Sequence, residues 1–158
     1  MLHATTIQKP KMTARAIVIH EDGILLMYRE RTDRGKPEEY FTTLGGGVDI
    51  HETIEECLHR ELREEAEITV EIIEKIGEVT EHREYDGAIK QKHHHIYLVK
   101  NTKNSYGQPI GPEAERYKLG NRYEVKKMQW SDLPHITLNS SLIHKHLLEY
   151  AYQKNFIS

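Results

Sequence analysis

The spacing of apolar and polar positions changes several times along the chain, and each change predicts an element. Ala14-Arg15-Ala16-Ile17-Val18-Ile19 and Ile24-Leu25-Leu26-Met27-Tyr28 are short apolar runs flanking Glu21-Asp22-Gly23, whose Asp-Gly pair signals a tight turn, so the pattern predicts a hairpin. Tyr40-Phe41-Thr42-Thr43-Leu44 predicts a third strand leading into a turn at Gly45-Gly46-Gly47. Residues 70–78 and 88–99 predict two more, joined around Asp86-Gly87, and residues 123–130 a last one. Alternation in the 88–99 run puts His93 and His95 on one face and His94 on the other. A His-x-His pair can bind zinc, but no third soft ligand is evident, so a solvated or core-edge role is expected.

From residue 52 to 66 the period lengthens. This stretch has no Pro or Gly and is rich in Glu, Leu and Arg, which predicts a helix. At 3.6 residues per turn, Ile54, Cys57, Leu58 and Leu62 share an arc of about 140° that should face the core. The same projection places Glu61 and Glu65 near the middle of that arc and Glu64 at its edge. Burying an unpaired carboxylate costs several kcal/mol, so the cluster needs fixed cationic partners or bound cations. Three hard oxygen ligands favour Mg²⁺ or Mn²⁺. The plainer alternative is a solvated helix with salt bridges along Glu56, Arg60 and Glu64. A closing helix is predicted after a cap at Asn139 or Ser140, with Leu142, Ile143, Leu147, Tyr150 and Ala151 as its core stripe.

Between these elements lie two loops with candidate chemistry. Arg29, Arg31, Arg34 and Lys36 are read as a basic loop with Gly35 and Pro37, either solvated or in part meeting substrate phosphates. Residues 101–119 hold two Pro and two Gly and form a long loop carrying Glu113 and Glu115.

Composition narrows the class. The 158 residues suit a single domain, 1–158, with residues 1–11 as a polar leader. A net charge of -3 offers no bulk field for a nucleic-acid polymer or an anionic membrane. One cysteine excludes an internal disulfide framework, and Cys57, on the apolar arc, is read as an inert core residue. No stretch matches a membrane span or a signal peptide, so a cytoplasmic protein is expected.

The stretch from Gly46 to Ile68 then takes on a specific form: Gly46, five residues, Glu52, seven residues, Arg60-Glu61-Leu62, one residue, Glu64-Glu65, one residue, Glu67-Ile68. It resembles the signature box of the Nudix hydrolases (MutT-like), with Glu67 in place of the final glycine and Leu44 where a proline commonly precedes the glycines. The resemblance implies a Nudix-type α/β/α sandwich with a mixed β-sheet. It implies hydrolysis of a nucleoside diphosphate linked to another group, with Mg²⁺ or Mn²⁺ as cofactor and a small-molecule nucleotide as partner, homodimerisation being left open. Carried over by position, Glu61, Glu64 and Glu65 would hold the metal with the Gly45 carbonyl, and Arg60 and Glu52 would orient them. Glu64, or a loop carboxylate such as Glu115, would take the proton; Glu113 and Glu124 are further sources of an outlying carboxylate.

Substrate contacts are expected from Arg29, Gly46 and Gly47. Tyr85 stands about where dinucleoside polyphosphate hydrolases of the family carry a tyrosine, and Arg83 stands where ADP-ribose hydrolases tend to carry proline. Tyr40, Phe41, Tyr106 and Tyr123 are equal candidates to stack on a base. The alternative function is a catalytically weak Nudix-like nucleotide sensor. Isoprenyl diphosphate isomerisation is set aside, because it needs a cysteine outside the box.

Overall fold

This computed structural model describes residues 6–7, 9–32, 35–109 and 121–158. Their strands are β1 (Thr6–Ile7), β2 (Lys11–His20), β3 (Gly23–Arg31), β4 (Glu38–Thr42), β5 (Leu44–Gly47), β6 (Val70–Tyr85), β7 (Ala88–Asn101), β8 (Arg122–Met128) and β9 (Leu138–Asn139). All join one mixed sheet, flanked by α1 (Ile54–Ala66) and α2 (Ser141–Gln153). A 3-10 helix, Trp130–His135, leads into β9.

Alternation along the central strands explains why both faces need a cover. Ala14, Ala16 and Val18 of β2, Leu25 and Met27 of β3, and Tyr97 and Val99 of β7 pack with Cys57, Leu58, Leu62 and Ala66 of α1. The intervening Ile17, Ile24, Leu26, Ile96 and Leu98 pack with Ile143, Leu147, Tyr150 and Ala151 of α2. The outcome is an α/β/α sandwich with a mixed sheet, as expected. Leu142 is the exception in its predicted stripe, being half exposed, because the buried arc of α2 is carried by Ile143 and Leu147 instead.

Strand boundaries depart from the sequence reading in several places. Arg29 and Arg31 extend β3 rather than lying in a loop, since β3 is held on both edges, Arg29 opposite Tyr40 of β4 and Tyr123 of β8. The single strand read over 40–44 is two, β4 and β5, broken at Thr43. The glycine triplet is not a free turn but part of β5, paired with Thr13–Arg15 of β2. Finally, β6 runs on to Tyr85, and β1, within the supposed leader, pairs in parallel with Ala88 and Ile89.

The sheet forks at β2. Thr13–Ala16 pair with β5, whereas β3 is met only by Val18–His20. Beside this fork a cleft opens, lined from β2, β3, β4, β6 and β7.

Candidate active site

Local sequence explains how α1 carries its carboxylates. Thr53 caps the helix, its hydroxyl accepting from the Glu56 N–H at 3.1 Å while the Glu56 carboxylate accepts from the Thr53 N–H at 3.1 Å. The helix ends at Glu67, which takes the left-handed conformation (φ 52°, ψ 40°) that glycine would favour. Its N–H reaches the Arg63 carbonyl at 3.0 Å, and that of Ile68 reaches Leu62 at 3.4 Å. The expected shape of the turn is kept with a side chain in place.

With that phase fixed, Glu65 is fully buried, Glu61 is buried and Glu64 sits at the rim. The Gly45 N–H donates to Glu65 Oε1 at 3.0 Å. Gly45 itself has φ 132°, and any side chain there would run into the Ala14 carbonyl. At Gly46 a Cβ would lie 2.5 Å from Glu61 Oε1, so the glycine leaves the carboxylate its place. The Gly46 and Gly47 carbonyls face the Cys57 thiol at 3.6 and 3.4 Å, and Gly47 also accepts from Arg60 Nη2 at 3.1 Å.

Arg60 is the hub. It donates to Glu52 Oε2 and Oε1 at 2.7 and 2.9 Å, to Glu61 Oε1 at 3.0 Å and to Glu64 Oε2 at 3.3 Å, and lies 3.6 Å from Asp49. The Arg60 hydrogen bonds hold the Glu52 carboxyl down to about 2, and Glu52 in turn raises the guanidinium above its usual range. Burial, with Glu52 and Glu61 nearby, pushes the Cys57 thiol up to about 12, which keeps it an inert thiol as expected.

Arg60 is shared among Asp49, Glu52, Glu61 and Glu64, with Glu65 beside them, and the ligand atoms these carboxylates offer are all hard oxygens. That set, with room kept by Gly46, fits a divalent cation of the Mg²⁺ or Mn²⁺ kind. The Gly45 carbonyl accepts from Arg15 Nη1 at 3.2 Å and has a second lone pair to offer.

Arg15 belongs to the cleft on the other side of Gly45. Arg29, Tyr40, Thr42, Glu81, Arg83, Lys92, His94 and Ile143 line it with Arg15. Burial lowers the Arg15 pKa, Glu65 opposes this and Arg29 adds to it. Burial likewise lowers Lys92, with Arg15 and Lys11 contributing. Arg29 is fixed before any ligand arrives, its Nε on Thr42 Oγ1 at 3.1 Å and its guanidinium 4.7 Å from the Tyr123 ring centre. His94 bridges Thr13 Oγ1 at 2.5 Å and Glu81 Oε1 at 2.6 Å.

Of the aromatic candidates whose side chains are described, Tyr40 alone lines this cleft. Phe41 packs beneath α2, Tyr106 sits edge-on to His20, and Tyr123 is buried under Arg29. Glu124 is on β8, paired with Arg122 at 2.8 Å. Arg34, Glu113, Glu115 and the Tyr85 side chain lie outside the described residues. Sequence reasoning missed Arg15, Lys92, His94 and Glu81 as cleft residues. The available signal was a lone Arg interrupting the apolar run 14–19.

The family model for the NUDIX domain matches residues 9–149. Among functionally curated proteins no sequence matches significantly. Solved structures resemble this fold: a MutT NUDIX hydrolase from Burkholderia pseudomallei (22% identity, 87% of this chain and 96% of that one, TM-score 0.64). Others are a NUDIX hydrolase from Nitrosomonas europaea (20%, 94% and 73%, 0.64) and a MutT protein from Methanosarcina mazei Go1 (15%, 93% and 97%, 0.61). No helix among the described residues is long and apolar enough to cross a membrane. A match running through nearly all the described sheet and both helices places the chain in the Nudix family, and with it a general capacity for hydrolysis of a phosphate-containing substrate.

Proposed function

We propose that this chain is a divalent-metal-dependent pyrophosphohydrolase acting on a nucleoside diphosphate linked to another group, of the nucleoside triphosphate or dinucleotide type. The observation that carries this reading is the link from Arg15 Nη1 to the Gly45 carbonyl (3.2 Å) and from the Gly45 N–H to Glu65 Oε1 (3.0 Å). It sets a cationic cleft and an all-oxygen carboxylate cluster back to back across one residue. A pyrophosphate needs both, because its own charge repels the attacking oxygen and must be neutralised from each side.

Glu61, Glu64 and Glu65, with the Gly45 carbonyl, would hold Mg²⁺ or Mn²⁺, which when bound neutralises phosphate oxygens and lowers the pKa of an attacking water. Arg60 and Glu52 fix the carboxylates. Arg15 and Arg29 bind the phosphates, and Gly46 and Gly47 let the chain approach closely. Tyr40 supports the nucleoside by stacking, with Tyr85 as a further contact. The proton passes to Glu64, which is the most exposed of the three box carboxylates, or to Glu115.

The test is release of phosphate or nucleoside monophosphate from dNTPs, ADP-ribose, dinucleoside polyphosphates and NADH, with Mg²⁺ or Mn²⁺, in wild type and Glu65→Gln. Metal-dependent turnover that collapses in Glu65→Gln is expected. Tight nucleotide binding without turnover in the wild type would refute it in favour of a sensor.

A further inference from the structure

The ribbon of β6 and β7 has two working faces. Lys92, His94 and Glu81 turn to the cleft, so His93, His95 and their neighbours on β6 occupy the reverse face. An irregularity between Lys75 and Gly77 decides which residues these are. In an unbroken strand, residues three apart point to opposite faces; the extra residue at Ile76 puts both Lys75, opposite Tyr97, and Glu78, opposite His95, on the same one.

We infer that Glu78, His93 and His95 form a binding site for a divalent transition-metal ion of the zinc type, separate from the carboxylate cluster of α1. His93 Nε2 lies 2.5 Å and His95 Nδ1 3.5 Å from Glu78 Oε1. The three donor atoms all fall within 4.8 Å of one another. Around tetrahedral zinc, with bonds of about 2.0–2.1 Å, donors sit about 3.4 Å apart, so small side-chain rotations close the set. Two imidazoles and one carboxylate suit zinc, nickel or cobalt and discriminate against Mg²⁺, and three protein ligands leave a fourth position to water.

The surroundings are those of an oriented ligand set. Thr80 Oγ1 is 2.6 Å from His93 Nδ1, so with the proton on Nδ1 the hydroxyl accepts it and Nε2 presents its lone pair to the metal. His95 is buried by the sheet, and its Nε2 has no hydrogen-bond partner among the described residues. Its Nδ1 accepts from Lys75 Nζ at 2.9 Å, which already requires the tautomer that a metal on Nδ1 needs. Lys75 also reaches Glu78 Oε2 at 3.3 Å. Its ammonium stands where a cation would bind and competes with the metal for Nδ1. Binding would staple β6 to β7 directly behind Glu81 and Lys92, on the far side of the cleft.

The experiment is Co²⁺ titration followed by its visible d–d absorption, and Zn²⁺ titration by calorimetry, with excess Mg²⁺ present to occupy carboxylate sites. Neither readout uses hydrolysis. Wild type and Glu64→Gln should bind one Co²⁺ with tetrahedral-type absorption. His93→Gln, a change at a partly exposed residue, should weaken binding by at least the about 10–100-fold typical of losing a ligand's supporting partner. Thr80→Val should weaken it within that range, and Lys75→Gln should tighten it by removing the competing ammonium. Equal affinity in wild type and His93→Gln, or loss of binding in Glu64→Gln alone, would overturn the inference.

Discussion

Replacing Glu67 by glycine should stabilise the protein. Glu67 is held at φ 52° and ψ 40°, where the side chain of an L-residue crowds its own backbone. That conformation costs about 1–2 kcal/mol, and glycine is free of it. Glycine gives back about 0.4–1 kcal/mol through the larger freedom of the unfolded chain. The net gain is centred on about 0.8 kcal/mol within a range of about 0–1.6 kcal/mol, and for a domain of this size each kcal/mol moves Tm by roughly 2–4 °C. Thermal melts followed by circular dichroism should therefore show a rise of about 1–4 °C.

One contact opposes this. The Glu67 side chain lies over Gly107, whose N–H donates to the Ala66 carbonyl at 2.6 Å, so the loop after β7 closes on the helix end. Because Glu67 is exposed, that contact exchanges with water and is worth little against the backbone strain. An unchanged or lowered Tm would show that the contact with the loop matches the strain, and would refute the ranking of the two effects.

The Glu52→Gln variant should be less stable than wild type near neutral pH. Glu52 is depressed in the folded state, so its contribution is present above about 4.3 and is lost as pH falls towards about 2; the stability difference measured by denaturant titration should close over that window. Cys57, pushed up to about 12 and buried, should resist alkylation at pH 8 in the folded protein and react fully in denaturant; native-state labelling at the denatured rate would contradict its burial. The lowered pKa of Lys92 predicts faster reductive methylation than at an ordinary surface lysine, read by mass spectrometry, and protection when an anionic ligand fills the cleft.

The two halves of the candidate site were not equally legible in the sequence. The carboxylates of α1 could be read because a helix repeats every 3.6 residues, so the inward phase of Glu61 and Glu65 follows from their distance to Leu58 and Leu62. The cap at Ser140 and the turn at Glu21-Asp22-Gly23 rest on equally local chemistry. Arg15 lies on β2 and Lys92 and His94 on β7, and what brings them together is the parallel register of the two strands, with Thr13 opposite His94. No local rule fixes such a register. The same applies to Lys75, which a strict two-residue period would place on the face opposite Glu78; the bulge at Ile76 sets the two side by side next to His95.

That asymmetry has a physical consequence for substrate choice. Under the proposed function, the helix-borne carboxylates would meet the need common to any pyrophosphate, a site for cations, and they are specified within one short stretch. On the proposed reading, selection among nucleotides would fall to the cleft, where Arg15, Arg29, Arg83 and Lys92 stand around Glu81, held by His94. Cations at several positions accept phosphates along a chain of them, whereas Glu81 repels phosphate and accepts hydrogen bonds from hydroxyl or amino groups. On that reading, the position of Glu81 among the cations would set where along a bound substrate the charged part ends and the uncharged part begins.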